Sequence, residues 1–129
     1  MYIPKIAQKH EYRILERVEC TGTRFYKTPS GRLVPSVTTI LSGTKDSTHI
    51  DAWKARVGPD NAEKIRNDSA RIGTGMHTNL ENAIYSKPLQ GSYLEKTLPV
   101  NIIKNGFTKL REIWAVEASL YSEDLYAGT

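Results

Sequence analysis

The 129-residue sequence predicts an α+β chain in which a β-hairpin, a run of helices and a second β-hairpin follow one another. Strand-forming residues punctuated by Pro and Gly turns fill both ends, whereas apolar residues in steps of three and four mark the middle. We expect one domain made of a basic hairpin region over residues 1–35, a helical segment over 36–114 and the start of a larger sheet over 115–129.

The opening hairpin is predicted from two strand-like stretches, "YRILERVE" and "TRFYKTP", which the Thr21-Gly22-Thr23 turn separates. A further turn at Pro29-Ser30-Gly31 lies between residues that favour strands. Turn residues between two such stretches are typical of a β-hairpin.

Two short helices are predicted next. Pro35 ends the hairpin region, and Ser36 is placed to cap a helix that runs through Leu41. The stretch "DSTHIDAWKARVG" predicts a second helix, which Gly58-Pro59 ends.

A long third helix is predicted to begin at Asn61, with Asp60 as its cap. Its apolar face repeats in steps of three and four, and consists of Ala62, Ile65, Ser69, Ile72, Met76, Leu80 and Ile84. Gly73 and Gly75 interrupt this run, and each costs about 1 kcal/mol in a helix interior relative to Ala. The pair predicts a break in the helix, or a close approach by another backbone or a ligand.

The last third of the chain predicts a loop, a helix and a hairpin. The stretch "SKPLQGS" is predicted to be a loop, and a fourth helix is expected from about Pro99 to Trp114. From Ala115 the apolar pattern changes to a period of two, with a turn at Ser122-Glu123-Asp124.

Composition excludes several classes of protein. Apolar residues make up 39% of the chain and charged residues 25%, which is typical of a globular protein. The single cysteine, Cys20, excludes an internal disulfide framework and a zinc site of paired cysteines, and it fits a cytoplasmic setting. No segment approaches the roughly 20 apolar residues of a membrane helix, and the N-terminus lacks the apolar core of a signal peptide. We therefore expect no membrane partner.

The net charge of +4 is concentrated at the start of the sequence. Residues 1–35 hold seven Lys or Arg against three Glu, while the remainder of the chain is balanced. A basic first quarter suits a polyanion such as DNA, although charge of this size more often belongs to an ordinary solvated surface.

His77 is the first candidate for chemistry, because it lies beside Met76 and Leu80 at the edge of the apolar face of the third helix. Neutral imidazole is a common ligand of divalent transition ions, and a packed histidine with one hydrogen bond is the more common alternative. Glu81 lies one turn further on, where it could hydrogen-bond His77 or simply face solvent.

Glu117 is the second candidate, because it sits between Val116 and Ala118 in a segment with the alternation of a strand. A carboxylate on a central strand is costly unless a cation or a donor meets it. The alternative is an edge strand on which Glu117 faces water.

The hydroxyl cluster of Ser36, Thr38 and Thr39 is the third candidate. Hydroxyls and amides at a helix N-terminus bind phosphate readily, while plain helix capping is their more frequent use.

Taken together, these features resemble the RecB-type branch of the PD-(D/E)XK nucleases, and in particular phage exonucleases similar to the mitochondrial genome maintenance exonuclease. The resemblance spans roughly residues 24–129. It is carried by four stretches in order, "RFYKTPSGRLVPSVTTIL", "DAWKARVGPDNAEKIRNDSARIGTGMH", "HTNLE" and "EASLYSEDLYAGT".

The resemblance implies an α/β fold with a restriction-endonuclease-like core, of which this chain is the N-terminal portion. His77 and Glu117 match residues that hold Mg²⁺ or Mn²⁺ in the family. Gly128 and Thr129 match the start of a Gly-Thr-x-Asp strand, so the catalytic Asp and the (Asp/Glu)-x-Lys pair are expected after Thr129. No catalytic residue is therefore expected within the chain, and we expect the chain alone to be inactive.

The resemblance implies metal-assisted phosphodiester hydrolysis for the whole protein, with DNA, either single-stranded or a duplex end, as the partner. DNA-backbone contacts are expected from one set of residues, namely Ser36, Thr38, Thr39, Arg24, Lys27, Arg32 and Arg71. Two other interpretations remain open at this point. The chain could belong to a non-catalytic DNA-binding relative of the same fold, or it could be a small structural or interaction protein.

Overall fold

The computed structural model describes residues 1–128 and confirms a mixed α+β chain. In chain order the elements are β1 (Lys5–Ile6), β2 (Glu16–Cys20), β3 (Thr23–Lys27), β4 (Leu33–Pro35), α1 (Val37–Thr44), α2 (Thr48–Val57), α3 (Pro59–Ile84), α4 (Tyr93–Gly106), a 3₁₀ turn (Phe107–Lys109), β5 (Glu112–Ile113), β6 (Leu120–Tyr121) and β7 (Ala127–Gly128). The predicted order of hairpin, helices and hairpin is confirmed, and Thr129 of the predicted Gly-Thr motif lies outside the described residues.

The chain divides into two compact units, and each is built from two stretches of sequence. Unit 1 comprises Met1–Ala7 and Thr48–Ile113, and unit 2 comprises Gln8–Ser47 and the residues from Trp114 onwards. No helix within residues 1–128 is long and apolar enough to cross a membrane.

Unit 1 is a helical unit in which α3 packs on α4 and α2 packs on α3. Ile103 of α4 is its most deeply buried large side chain. A short parallel pair joins β1 to β5, with Ile6 opposite Ile113. This pairing joins residues more than 100 positions apart, and the sequence pattern did not predict it.

Helix α3 runs without interruption through both glycines, so the predicted break is wrong. The predicted close approach does occur at Gly75, where a Cβ would lie 2.6 Å from Cγ of Glu95. The approaching group is a side chain of α4 rather than a backbone or a ligand. No atom lies within 4 Å of the corresponding position at Gly73.

Helix α4 begins at Tyr93, six residues before the predicted start, and ends at Gly106 rather than Trp114. The backbone N–H of Ser92 donates to the Glu95 carboxylate at 2.6 Å, which caps the helix. The hydrogen bond from the Ser92 hydroxyl, then this backbone bond and to a smaller extent the charge of Arg71, lower the pKa of Glu95. The Ser-x-x-Glu spacing that makes this cap is present in the sequence, but the sequence-based prediction started the helix at Pro99, a residue type that is common at the first helical position.

Pro99 is tolerated inside α4 because a side chain of α3 replaces the hydrogen bond that proline cannot make. A residue at position 99 would normally donate its N–H to the carbonyl of Glu95. That carbonyl instead accepts from Nδ2 of Asn79 at 2.8 Å. Asn79 also donates to the carbonyl of Gln90 at 2.7 Å and accepts from the Gln90 N–H at 2.9 Å. With 1% of its surface exposed, Asn79 is a fully satisfied buried amide that fixes the α3–α4 connection.

Unit 2 is built on an antiparallel sheet in the order β2-β3-β4, which confirms the predicted opening hairpin. Strands β6 and β7 form the predicted closing hairpin, with Tyr121 opposite Ala127. A parallel bridge links Ser36 to Ala127 and so connects the two hairpins. The core of the unit is a cluster of Leu15, Tyr26, Val34 and Ala127.

The segment around Glu117 differs from its prediction. It was expected to be a strand from Ala115, whereas β6 begins at Leu120. Glu117 lies in a bend with φ +52°, a left-handed conformation that no strand residue adopts. Its side chain is exposed, so the carboxylate avoids the burial cost that a central strand would impose.

Candidate nucleic-acid interface

The predicted hydroxyl cluster exists and is organised around Ser36. The backbone N–H of Thr39 donates to Oγ of Ser36 at 3.0 Å, which confirms Ser36 as the cap of α1. Oγ of Ser36 also lies 2.9 Å from Oγ1 of Thr38 and 2.8 Å from Oγ1 of Thr39. Ser36 is 2% exposed, whereas Thr38 is exposed. Ser36 therefore positions the other two hydroxyls, and Thr38 is the one that solvent or a ligand can reach.

Arg24 is held next to this cluster by its own backbone. Its carbonyl accepts hydrogen bonds from the N–H of Ser36 and from Oγ1 of Thr39, both at 3.1 Å. The side chain is half-buried, and within residues 1–128 its guanidinium forms no hydrogen bond and no ion pair within 4 Å. Its cross-strand neighbour is Glu19, whose carboxylate pairs with Arg17; the Arg17 bond and, to a smaller extent, the charge of Arg24 lower the pKa of Glu19. Because side chains two apart on a strand share a face, Arg24 and Tyr26 point to the same side of β3.

That side of unit 2 opens into a cavity of about 520 Å³. The cavity lies between β3, the start of α1 and the closing hairpin, and its lining includes Arg24, Tyr26, Ser36, Thr38, Tyr121 and Tyr126. Its size is within the range of about 300 to 1,000 Å³ that is typical of small-molecule sites. The cavity brings one cation, the hydroxyls of Ser36, Thr38 and Ser122, and three tyrosine rings to one place.

Lys27 and Arg32 are near one another at the β3–β4 turn but do not line the cavity. Arg32 forms an ion pair with Asp124, and both side chains are largely exposed. The neighbouring hydroxyl of Ser30 donates to Glu123, and this bond is the main reason that the pKa of Glu123 is lowered. Exposed ion pairs contribute little stability, but they reduce the net positive charge that this turn presents to DNA.

The two units divide the charge differently from the linear sequence. Glu117, Glu123 and Asp124 fold together with the basic first quarter, so unit 2 holds seven Lys or Arg and seven Asp or Glu. Unit 1 holds eleven Lys or Arg against seven Asp or Glu, and it therefore carries the excess of +4. The positive excess of residues 1–35 is therefore offset within unit 2 by acidic residues from the rest of the unit. Anion binding by unit 2 then depends on how its individual cations are placed, Arg24 beside the hydroxyls among them, and not on a net positive charge of the unit.

Arg71, the remaining basic candidate, lies on α3 in unit 1. Its guanidinium is 3.9 Å from the Glu95 carboxylate, and its side chain is 59% exposed. The contact is at the outer limit of an ion pair, so Arg71 keeps most of its capacity to meet a phosphate.

His77 and Glu81 lie one turn apart on α3, His77 exposed and Glu81 half-buried. No hydrogen bond or ion pair joins these two side chains. The structure therefore shows no contact that would let Glu81 orient His77 in the predicted way.

The predicted metal site needs His77 of unit 1 and Glu117 of unit 2 together, and it stays a prediction. Within residues 1–128, no group of three or more His, Cys, Asp or Glu side chains is placed to hold a metal ion. Mg²⁺ takes six oxygen ligands and Mn²⁺ prefers similar donors. The described side chains do not supply such a set, and no step of a reaction can be assigned to a metal that they hold.

Comparisons with known proteins leave the resemblance to the nucleases untested. No protein family, no curated protein and no solved structure matches the chain.

Sequence reasoning missed the tyrosines of the cavity. Arg24 and Tyr26 alternate along a predicted strand, and Tyr121 and Tyr126 flank a predicted turn. These spacings indicate aromatic residues close to a hairpin. They do not reveal the contacts that join the two hairpins, which are the bridge between Ser36 and Ala127 and the packing of Ala127 on Tyr26 and Val34.

Proposed function

We propose that this chain belongs to a metal-dependent DNA nuclease of the PD-(D/E)XK type, a phage-type exonuclease, and that unit 2 contacts the DNA backbone. The observation that carries the proposal is that Arg24 lines the same cavity as Ser36 and Thr38, while Thr39 ties the start of α1 to the Arg24 backbone carbonyl. A guanidinium beside hydroxyls at the start of a helix is a typical arrangement for a phosphate oxygen.

Each part of this arrangement has a separate task in the proposal. Arg24 supplies the charge, and because its cross-strand neighbour Glu19 pairs with Arg17, the guanidinium donors of Arg24 stay available to an anion. Thr38 supplies an exposed hydroxyl, while Ser36 and Thr39 hold the start of α1 against β3. Phosphate contacts of this kind position a strand without reading its sequence.

Hydrolysis would require residues beyond those described. Carboxylates and a lysine that the described residues do not supply would have to complete the site for Mg²⁺ or Mn²⁺, as the resemblance implies. His77 and Glu117 remain the proposed contributors from this chain. The chain by itself is expected to bind DNA without cleaving it.

Neutralising the proposed interface should reduce the dependence of DNA affinity on salt. In the triple variant Arg24→Gln, Lys27→Gln, Arg32→Gln, we expect the slope of log affinity against log salt concentration to fall by about one to two, because each lost phosphate contact releases about 0.9 fewer counterions. Arg32 should contribute least, since Asp124 already pairs with it. Fluorescence anisotropy with a labelled oligonucleotide, on monomeric protein, measures the slope.

The matched control removes three charges from unit 1 through Lys54→Gln, Arg56→Gln and Arg71→Gln. The proposal expects a smaller change in slope from this control than from the unit 2 variant. Because unit 1 carries the net charge excess, the opposite ranking is the natural alternative. If the control variant flattens the salt dependence of DNA affinity and the unit 2 variant does not, the DNA binds α2 and α3 instead of unit 2.

A further inference from the structure

The cavity of unit 2 contains more than a phosphate site requires. A backbone phosphate would need only the guanidinium and hydroxyl groups at its polar end. The rest of the lining is mainly apolar and includes the rings of Tyr26, Tyr121 and Tyr126. With a volume of about 520 Å³, the cavity has room for a small organic group beyond the phosphate.

The three tyrosines differ in how far they are buried. Tyr26 is 9% exposed and belongs to the core cluster, so it forms a fixed part of the cavity wall. Tyr121 and Tyr126 are 42% and 48% exposed, and they lie on either side of the turn of the closing hairpin. Their rings therefore offer aromatic surface that a ligand entering from solvent can cover. Aromatic side chains of this kind stack on nucleobases with little regard to which base it is.

The polar and aromatic groups are connected through one rigid frame. Arg24 and Tyr26 share a face of β3, whose partner strand leads directly into Ser36. Ser36 is bridged to Ala127, the neighbour of Tyr126. A ligand with an anionic group at one end and a flat ring at the other would meet both parts of the site at once.

We propose that this cavity binds one nucleotide unit, with its base against Tyr121 and Tyr126 and its phosphate at Arg24 and the Thr38 hydroxyl. The inference rests on the proposed function in one respect, since DNA would then be the source of the nucleotide. An unpaired nucleotide within a strand and a free mononucleotide present the same chemistry to the cavity. A base paired within a duplex does not, because its faces are already stacked.

The first arm of the test uses deoxyadenosine monophosphate as the probe, with deoxyadenosine and inorganic phosphate as its two halves. Calorimetry on the purified chain should show binding of the monophosphate that weakens about tenfold in Tyr126→Leu, a typical effect of losing one stacked ring. Arg24→Gln should weaken the monophosphate but leave deoxyadenosine unchanged. Tyr126→Phe keeps the ring and should bind like the wild type, which separates stacking from any folding defect. Tyr93→Leu is the matched control, since Tyr93 lies in unit 1 and is 79% exposed.

The second arm compares a single-stranded oligonucleotide with a duplex of equal length. The inference expects Tyr126→Leu to weaken the single strand and to leave the duplex unchanged. If the monophosphate does not bind and Tyr126→Leu affects neither oligonucleotide, the nucleotide pocket is overturned, while salt-sensitive DNA binding through Arg24 would leave the proposed function intact. If the monophosphate binds and neither oligonucleotide does, the pocket stands with a free nucleotide as its ligand, and the proposed function fails.

Discussion

Replacing Asn79 with alanine should lower the free energy of unfolding by about 3 kcal/mol, the largest loss that we expect from a polar residue of unit 1. The substitution removes three hydrogen bonds from a side chain that is 1% exposed. It leaves the carbonyls of Gln90 and Glu95 and the N–H of Gln90 without their partners, and each lost hydrogen bond costs about 0.5 to 1.5 kcal/mol. Urea denaturation followed by circular dichroism measures the loss.

Two further variants isolate the cause of this loss. Asn67 is exposed on the same helix, so the control substitution Asn67→Ala should change the free energy of unfolding by no more than about 0.5 kcal/mol. Asn79→Asp keeps an acceptor for the Gln90 N–H but loses both donors, so it should also destabilise the protein. A loss below about 1 kcal/mol in Asn79→Ala would mean that water or local rearrangement satisfies these groups, and that Pro99 does not depend on Asn79.

Replacing Ala127 with aspartate should destabilise unit 2 by about 3 kcal/mol or more. Ala127 is 1% exposed and packs with Tyr26 and Val34 in the core cluster. An aspartate there would bury a carboxylate without a cation to meet it. Because Ala127 bridges to Ser36, the substitution should also disturb the start of α1 and weaken DNA binding.

Leu125→Asp is the control for this second prediction, since Leu125 belongs to the same hairpin but is 62% exposed. It introduces the same charge two residues away and should leave the urea midpoint nearly unchanged. Equal midpoints for the two aspartate variants would show that the closing hairpin does not pack on the opening one.

The features of this fold that depend on neighbouring residues could be predicted from the sequence. The hydrogen bonds between distant residues that stabilise those features could not. The start of α1 could be predicted because Ser36 caps the helix by accepting a hydrogen bond from the nearby Thr39 N–H. The predicted start of α4 lies too late in the sequence because proline normally does not occur inside a helix. Pro99 is tolerated there because Asn79, twenty residues earlier, donates to the carbonyl of Glu95. Nothing in the spacing of the two residues reveals that contact.

The candidate site was predictable to a similar extent. The hydroxyls at the start of α1 were found from the sequence, since their geometry depends on adjacent residues. The prediction of a strand around Glu117 was wrong because the alternation of apolar and polar residues does not reveal that a non-glycine residue adopts a left-handed conformation. The charge balance of unit 2 also escaped prediction, because it depends on which distant acidic residues fold together with the basic ones.

The most direct test of the proposed interface is a map of amide chemical shifts as a short DNA oligonucleotide is added to the protein labelled with ¹⁵N. The proposal predicts that the largest changes occur at Arg24 and over residues 36–39, with smaller changes beside Tyr126, and that added salt reverses them. Changes confined to α2 and α3, with the start of α1 unaffected, would contradict the proposal that unit 2 contacts the DNA backbone.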